Sequence, residues 1–210
     1  SETTSVAAQL RTMVRPSRQI WDGIWEMVAG EQIRLLMFDW CCSLLATEAD
    51  CKPFSHPQLR NPPCDLVVVR PISGPAAGEI SDVKRILLPV RGGPRSALAL
   101  RIAHAVAQQA NAEITLLHVE PPGVESEARF KEEFAPALRG LRRVSRAITV
   151  KGEIDDVILS EVAEQDRLGK QIVVIGSPCL PEGRTLSAPV AERVEGELPV
   201  MLIAVRDHCL

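Results

Sequence analysis

The sequence predicts an α/β protein: an open parallel sheet with helices on both faces. Three observations predict it. From Val83 onward, short apolar runs alternate with stretches of helical periodicity in the order βαβαβαβαβ. The runs Ile86–Val90, Ile172–Ile175 and Val200–Val205 are apolar at consecutive positions, which suits strands covered on both faces. Aromatic residues make up only 3% of the chain and Tyr is absent, so the core must be aliphatic, as under parallel strands.

The 210 residues suffice for one large domain or two small ones. The net charge of −3, with 24 basic against 27 acidic residues, argues against a nucleic-acid binder, and no basic block carries interleaved aromatics. No apolar run approaches the ~20 residues of a membrane span and no signal peptide is evident, so a cytoplasmic location is expected. The first residue is Ser, which suggests a processed or excised chain. The six cysteines, Cys41, Cys42, Cys51, Cys64, Cys179 and Cys209, form no CxxC and read as reduced thiols. A zinc site would need Cys41 or Cys42 with Cys51, His56 and Cys64. The closely paired ligands of structural zinc sites are missing there, so no metal is expected.

In chain order, Ala7 to Val14 reads as a strand. Ser17 can cap a helix from Arg18 to Gly30, with Ile20, Trp21, Ile24, Trp25, Met27 and Val28 as its apolar face. At this spacing the two Trp read as core rather than as a stacking platform, and Gly30 closes the helix. Ile33 to Trp40 is the next strand. Residues 41–63 are poorly patterned, with a short helix over residues 55–61. Leu66 to Val69 is a third strand, and residues 72–82, rich in Gly, Pro and Ser, form a linker.

The second half opens with Ile86–Val90, turns at Gly92-Gly93, and enters a helix at Pro94 that runs to Gln109. Ala97, Leu98, Leu100, Arg101, Ile102, Ala105 and Val106 carry its stripe. Strand Glu113–Val119 follows, then a charged helix from Glu125 to Leu141 that Pro136 kinks or divides. Strand Arg146–Val150, helix Ile154–Leu168, strand Ile172–Ile175, a loop from Ser177 to Ser187, helix Pro189–Leu198 and strand Val200–Val205 complete the chain.

The first half resembles the end of the second. Gly30-Glu31-Gln32-Ile33 recurs as Gly169-Lys170-Gln171-Ile172, and the run Pro63–Arg70 recurs as Pro199–Arg206. The offset is roughly 136 to 139 residues, so a first copy is expected to begin about 55 residues before Ser1. Residues 1–71 then form the C-terminal half of one unit, and residues 83–207 a complete one.

Residues 83–206 resemble a universal stress protein domain. The resemblance rests on Lys84-Arg85-Ile86-Leu87-Leu88-Pro89-Val90, Ser96-Ala97-Leu98-Ala99-Leu100, the run Ala112–Val119, Ile172-Val173-Val174-Ile175-Gly176-Ser177, and Val190-Ala191-Glu192-Arg193-Val194 before the last strand. Val90-Arg91-Gly92-Gly93-Pro94 and the Trp-rich first helix also resemble the cytosolic tails of amino-acid permease-like and cation-antiporter-like transporters. The resemblance implies a doubly wound sheet and a non-enzymatic regulatory domain attached to a transporter's own membrane domain. A free-standing ATP-binding stress protein is the alternative. It further implies that the edges Leu66–Val69 and Val200–Val205 pair antiparallel, inside one chain as a pseudo-dimer or between two chains as a homodimer.

Many members of the family bind ATP and others do not; the resemblance implies ATP or AMP as the ligand here, held where strands end. The corresponding positions are Pro89, Val90, Arg91, Gly92, Gly93, His118, Val119, Gly176, Ser177, Gly183, Ser187 and Ala188. Two departures from the family pattern stand out. The phosphate loop, in the family Gly, two residues, Gly, nine residues, then Gly-Ser or Gly-Thr, here has Cys179 for its second glycine and closes on Ala188-Pro189. That loses N–H groups that would point at an anion. Arg91 stands where an Asp is usual, which suits an anion such as AMP or a cyclic dinucleotide. Of the remaining candidates, Ser96 lacks a base partner and no Gly-x-Ser-x-Gly elbow occurs. His104 reads as a surface or half-buried residue rather than a catalyst, and Asp155-Asp156 as helix-start acids favoured by the dipole.

Overall fold

The computed structural model describes residues 11–39, 59, 62–71, 79–90, 97–120, 132, 134, 143–166, 170–177 and 200–206. Seven strands form one sheet. They are β1 Leu35–Asp39, β2 Asp65–Arg70, β3 Arg85–Val90, β4 Glu113–Glu120, β5 Val144–Lys151, β6 Gln171–Ser177 and β7 Met201–Arg206. Helices α1 Ile20–Gly30, α2 Ala97–Ala110 and α3 Ile154–Asp166 pack on it. The spatial order is β1-β2-β7-β6-β3-β4-β5. Every neighbouring pair is parallel except β2 with β7, which is antiparallel.

Apart from the strand expected over residues 7–14, the predicted strands fall where their apolar runs stand, with bounds moved by a residue or two. Burial explains the composition of the central ones. Ile86, Leu87 and Leu88 of β3 are fully buried, as are Ile172, Val173 and Val174 of β6. Side chains alternate between faces along a strand, so two aliphatic layers result. On one face α2 contributes Leu98, Ala99, Leu100, Ala103, Ala107 and Ala110, packed over Ile86, Leu88, Ile114, Leu116, Ile172 and Val174 with Phe134. On the other, Ile158, Leu159 and Val162 of α3 cover Leu87, Leu117, Val173, Ile175 and Leu202. The expected α2 stripe is thus turned: Ala97, Arg101 and Ala105 are exposed, and the small Ala103 and Ala107 let the helix lie close to the sheet.

α1 lies at the β1–β2 end. Val28 is buried with Leu59, Cys64 and Leu66, and the half-buried Trp21, Ile24, Trp25, Leu36 and Phe38 close the cluster. Trp21 stacks on Trp25 with centroids 5.6 Å apart and meets Phe38 edge-on at 6.4 Å. The Trp pair belongs to the core stripe, although Ile20 of the same stripe is exposed.

Several local expectations are corrected. The helix begins at Ile20, not Arg18, because the Ser17 hydroxyl donates to the Gln19 carbonyl at 2.6 Å rather than accepting from the first turn. It ends at Gly30, as expected, and the reversal after it uses Gln32 in the left-handed region (φ 52). Ile33 N–H returns to the Val28 carbonyl at 2.9 Å, which satisfies a terminal carbonyl. Residues 11–14 of the expected first strand are irregular and exposed; the rest of it, residues 7–10, lies outside the described residues. A strand needs a hydrogen-bonding neighbour, and among the described residues none flanks that segment. The linker ends in a 3-10 turn, Ile80–Asp82, with reciprocal bonds between Glu79 and Asp82. The helix expected over residues 189–198 and most of those over residues 55–61 and 125–141 lie outside the described residues.

Candidate ligand cleft at the strand ends

The chain runs from β3 outward through β4 to β5, then crosses back to β6 and β7 on the other side of β3. The β3–β6 boundary is therefore the switch point of the sheet, where open α/β folds hold ligands beyond the carboxyl ends of their strands. A local cause sharpens the opening. β3 pairs with β4 along its full length, from Arg85↔Glu113 to Val90↔His118. Against β6 it pairs only from Arg85↔Gln171 to Leu87↔Val173. Two residues further on stands Pro89, which has no N–H for a ladder. β6 meanwhile continues against β7 as far as Ser177↔Arg206. Leu88 to Val90 and Val174 to Ser177 thus border a gap in the pairing.

The described candidates gather there. Pro89 and Val90 end β3, His118 and Val119 lie near the end of β4, and Gly176 and Ser177 end β6. His118 is buried, and its Nδ1 lies 3.1 Å from the Val90 carbonyl oxygen. A carbonyl only accepts, so this nitrogen carries the proton that joins them. Val90 packs in the α2-side core and Val119 in the α3-side core. A Cβ placed on Gly176 would stand 3.6 Å from Ala99 Cβ at the start of α2, an ordinary contact. The strand end and the helix start therefore lie one side chain apart. Arg91, Gly92, Gly93, Gly183, Ser187 and Ala188 lie outside the described residues, as do Cys41, Cys42, Cys51 and His56.

One buried acid was missed. Glu120, the last residue of β4, is 2% exposed and shares the α2-side face with His118 by strand alternation. The signal was present: an acid two residues after His118, directly ahead of Pro121-Pro122. Elsewhere, Asp155 and Asp156 begin α3, as expected of helix-start acids, and His104 sits half-buried on α2. Among the described residues no helix is long and apolar enough to cross a membrane.

No family model matches the sequence, and no curated protein matches it. Solved structures do. A universal stress protein from Archaeoglobus fulgidus superposes with a TM-score of 0.58 at 14% identity, over 90% of this chain and 65% of its own. A candidate universal stress protein from Pseudomonas aeruginosa UCBPP-PA14 gives 0.56 at 20% identity, over 88% of this chain and 67% of its own. A functionally unknown protein from Pseudomonas aeruginosa PAO1 gives 0.57 at 18% identity, over 92% and 69%. The chain thus spans about two thirds of the length of the structures it matches. With seven mostly parallel strands in this order and helices on both faces, the chain has the universal stress protein fold.

Proposed function

We propose that this chain is a non-enzymatic regulatory module that binds a small anion of the adenine-nucleotide class in the β3–β6 cleft. The observation that carries this reading is the end of the β3–β6 ladder at Leu87↔Val173, two residues ahead of Pro89. That gap leaves backbone groups of three strand ends able to meet a flat base. Gly176 offers no side chain to block it. Arg91 supports an anionic ligand, while Cys179 and Pro189 weaken the phosphate loop and favour AMP or a cyclic dinucleotide over ATP. The absence of a nucleophile elbow in the sequence supports a sensor rather than a hydrolase. Two resemblances extend the reading. The repeated runs support a tandem pair of units, and Val90–Pro94 with the Trp-rich helix supports attachment to a transporter.

Calorimetric titration with ATP, AMP and a cyclic dinucleotide tests the ligand. At least one binds saturably, and Gly176→Val weakens it at least tenfold while circular dichroism is unchanged. Silence with all three refutes the reading, and steady release of ADP from ATP refutes its non-enzymatic part. Hydrophobic spans encoded in frame ahead of Ser1 are expected; a frame without them returns the chain to a free-standing nucleotide-binding protein.

A further inference from the structure

The β2–β7 seam relates two parallel pairs, β1–β2 and β6–β7. Its register is centred on Val68↔Ala204, with Leu66↔Arg206 and Arg70↔Leu202 equidistant on either side. Pro63 and Pro199, and Arg70 and Arg206, are the same distance from that centre, so its local two-fold maps the repeated runs onto each other. Carrying the two-fold outward through Leu35↔Asp65 and Ile172↔Met201 makes Leu35 the counterpart of Ile172, and Met37 that of Val174. This is two residues away from the sequence match of Ile33 to Ile172.

The counterparts differ sharply in burial. Ile172 and Val174 are 0% exposed beneath α2, whereas Leu35 and Met37 are 36% and 57% exposed. Leu36 and Phe38, on the other face, are covered by α1 as Val173 and Ile175 are by α3. β6 has β3 on its outer side; among the described residues β1 has no strand there. Among the described residues, edge and face therefore lack the same two elements, a parallel strand and the helix that follows it. Residues 11–14, near the counterpart position of β5, are irregular, with Val14 95% exposed. In the second half β3 and β4 stand between β6 and β5.

We infer that the outer edge of β1 and its Leu35–Met37 face are a docking surface for an aliphatic strand–loop–helix unit built like β3–α2. The strand continues the parallel ladder and the helix seals Leu35 and Met37. The inference rests on the tandem-unit part of the reading above and is independent of any ligand.

The test joins a second copy of residues 83–137 ahead of Ser1 and compares that protein with the 210-residue chain by hydrogen exchange and by peroxide oxidation of Met37. In the chain alone, β1 amides exchange fast and Met37 oxidises as an exposed thioether. In the extended protein, both slow at least tenfold, and the particle stays monomeric. Met37→Lys in the extended protein restores fast β1 exchange while β3, β4 and β6 remain protected, which separates lost docking from unfolding. Equal β1 exchange in the two proteins overturns the inference. So does slow β1 exchange in the chain alone, whose mass in solution tells a second copy from another part of the same chain. Nucleotide titration of the same samples reports the ligand reading separately.

Discussion

Arg206 is the side chain whose environment departs furthest from its ordinary one. It ends β7, is 2% exposed, and donates through Nη1 to the Leu59 carbonyl at 2.7 Å. Burial lowers its pKa to about 10, below the ordinary guanidinium range. Removing the guanidinium leaves a buried carbonyl without this donor, and Arg206→Met is expected to cost about 1–2 kcal/mol, the desolvation relieved offsetting part of the lost bond. The sign of the pH effect follows from the shift. Above pH about 10 the unfolded chain holds the proton that the folded one releases, so the burial penalty is full below that pH and fades as pH rises through it. Urea titrations of the chain and of Arg206→Met should differ by a constant amount below pH about 10 and diverge in favour of the parent above it. Cys64 is the other perturbed group: burial pushes its thiol up, against a backbone hydrogen bond from Leu36 that pulls it down.

At the scale of elements, both long-range turns after helices use the left-handed region without glycine. Gln32 follows α1 at φ 52 and Asn111 follows α2 at φ 54. The two share one closure, with Ile33 N–H to the Val28 carbonyl and Ala112 N–H to the Ala107 carbonyl. Asn tolerates that conformation better than Gln. Gln32→Gly is therefore expected to stabilise the chain by about 0.5–1 kcal/mol, read as a higher urea midpoint at unchanged slope. A lower midpoint would show that the exposed Gln32 side chain contributes more than its backbone costs. The helix ends at Gly30, as its residue type predicts, and the left-handed residue that reverses the chain stands two residues later, at Gln32.

For the whole molecule, the seven strands form a single ladder, so the two halves meet through hydrogen bonds and shared core rather than through a linker alone. Val67 and Val69 of β2 pack into the α2-side core, and Val68 into the α3-side core. All three Trp lie in the first half, whereas most of the helix and strand lies in the second. Unfolding followed by Trp fluorescence and by far-UV circular dichroism is expected to give coincident transitions. Val68→Ala should lower both midpoints together, with a stability loss of about 1–3 kcal/mol for two buried methyl groups. An early fluorescence transition would mean that the β1–β2 end opens by itself.

By itself the sequence determined the described strands and helices, apart from the strand expected over residues 7–14, and that the core is aliphatic. Those follow from side-chain periodicity and from Gly and Pro, which act over a few residues, whereas the candidate ligand positions came from the family resemblance. Only the tertiary structure decided that the antiparallel β2–β7 seam expected from the resemblance forms within one chain with Val68 opposite Ala204, that the β3–β6 ladder stops at Leu87↔Val173, and that Leu35 and Met37 remain exposed. Each depends on which strand lies beside which, and partners far apart in the chain leave no periodic signal in the residues between them.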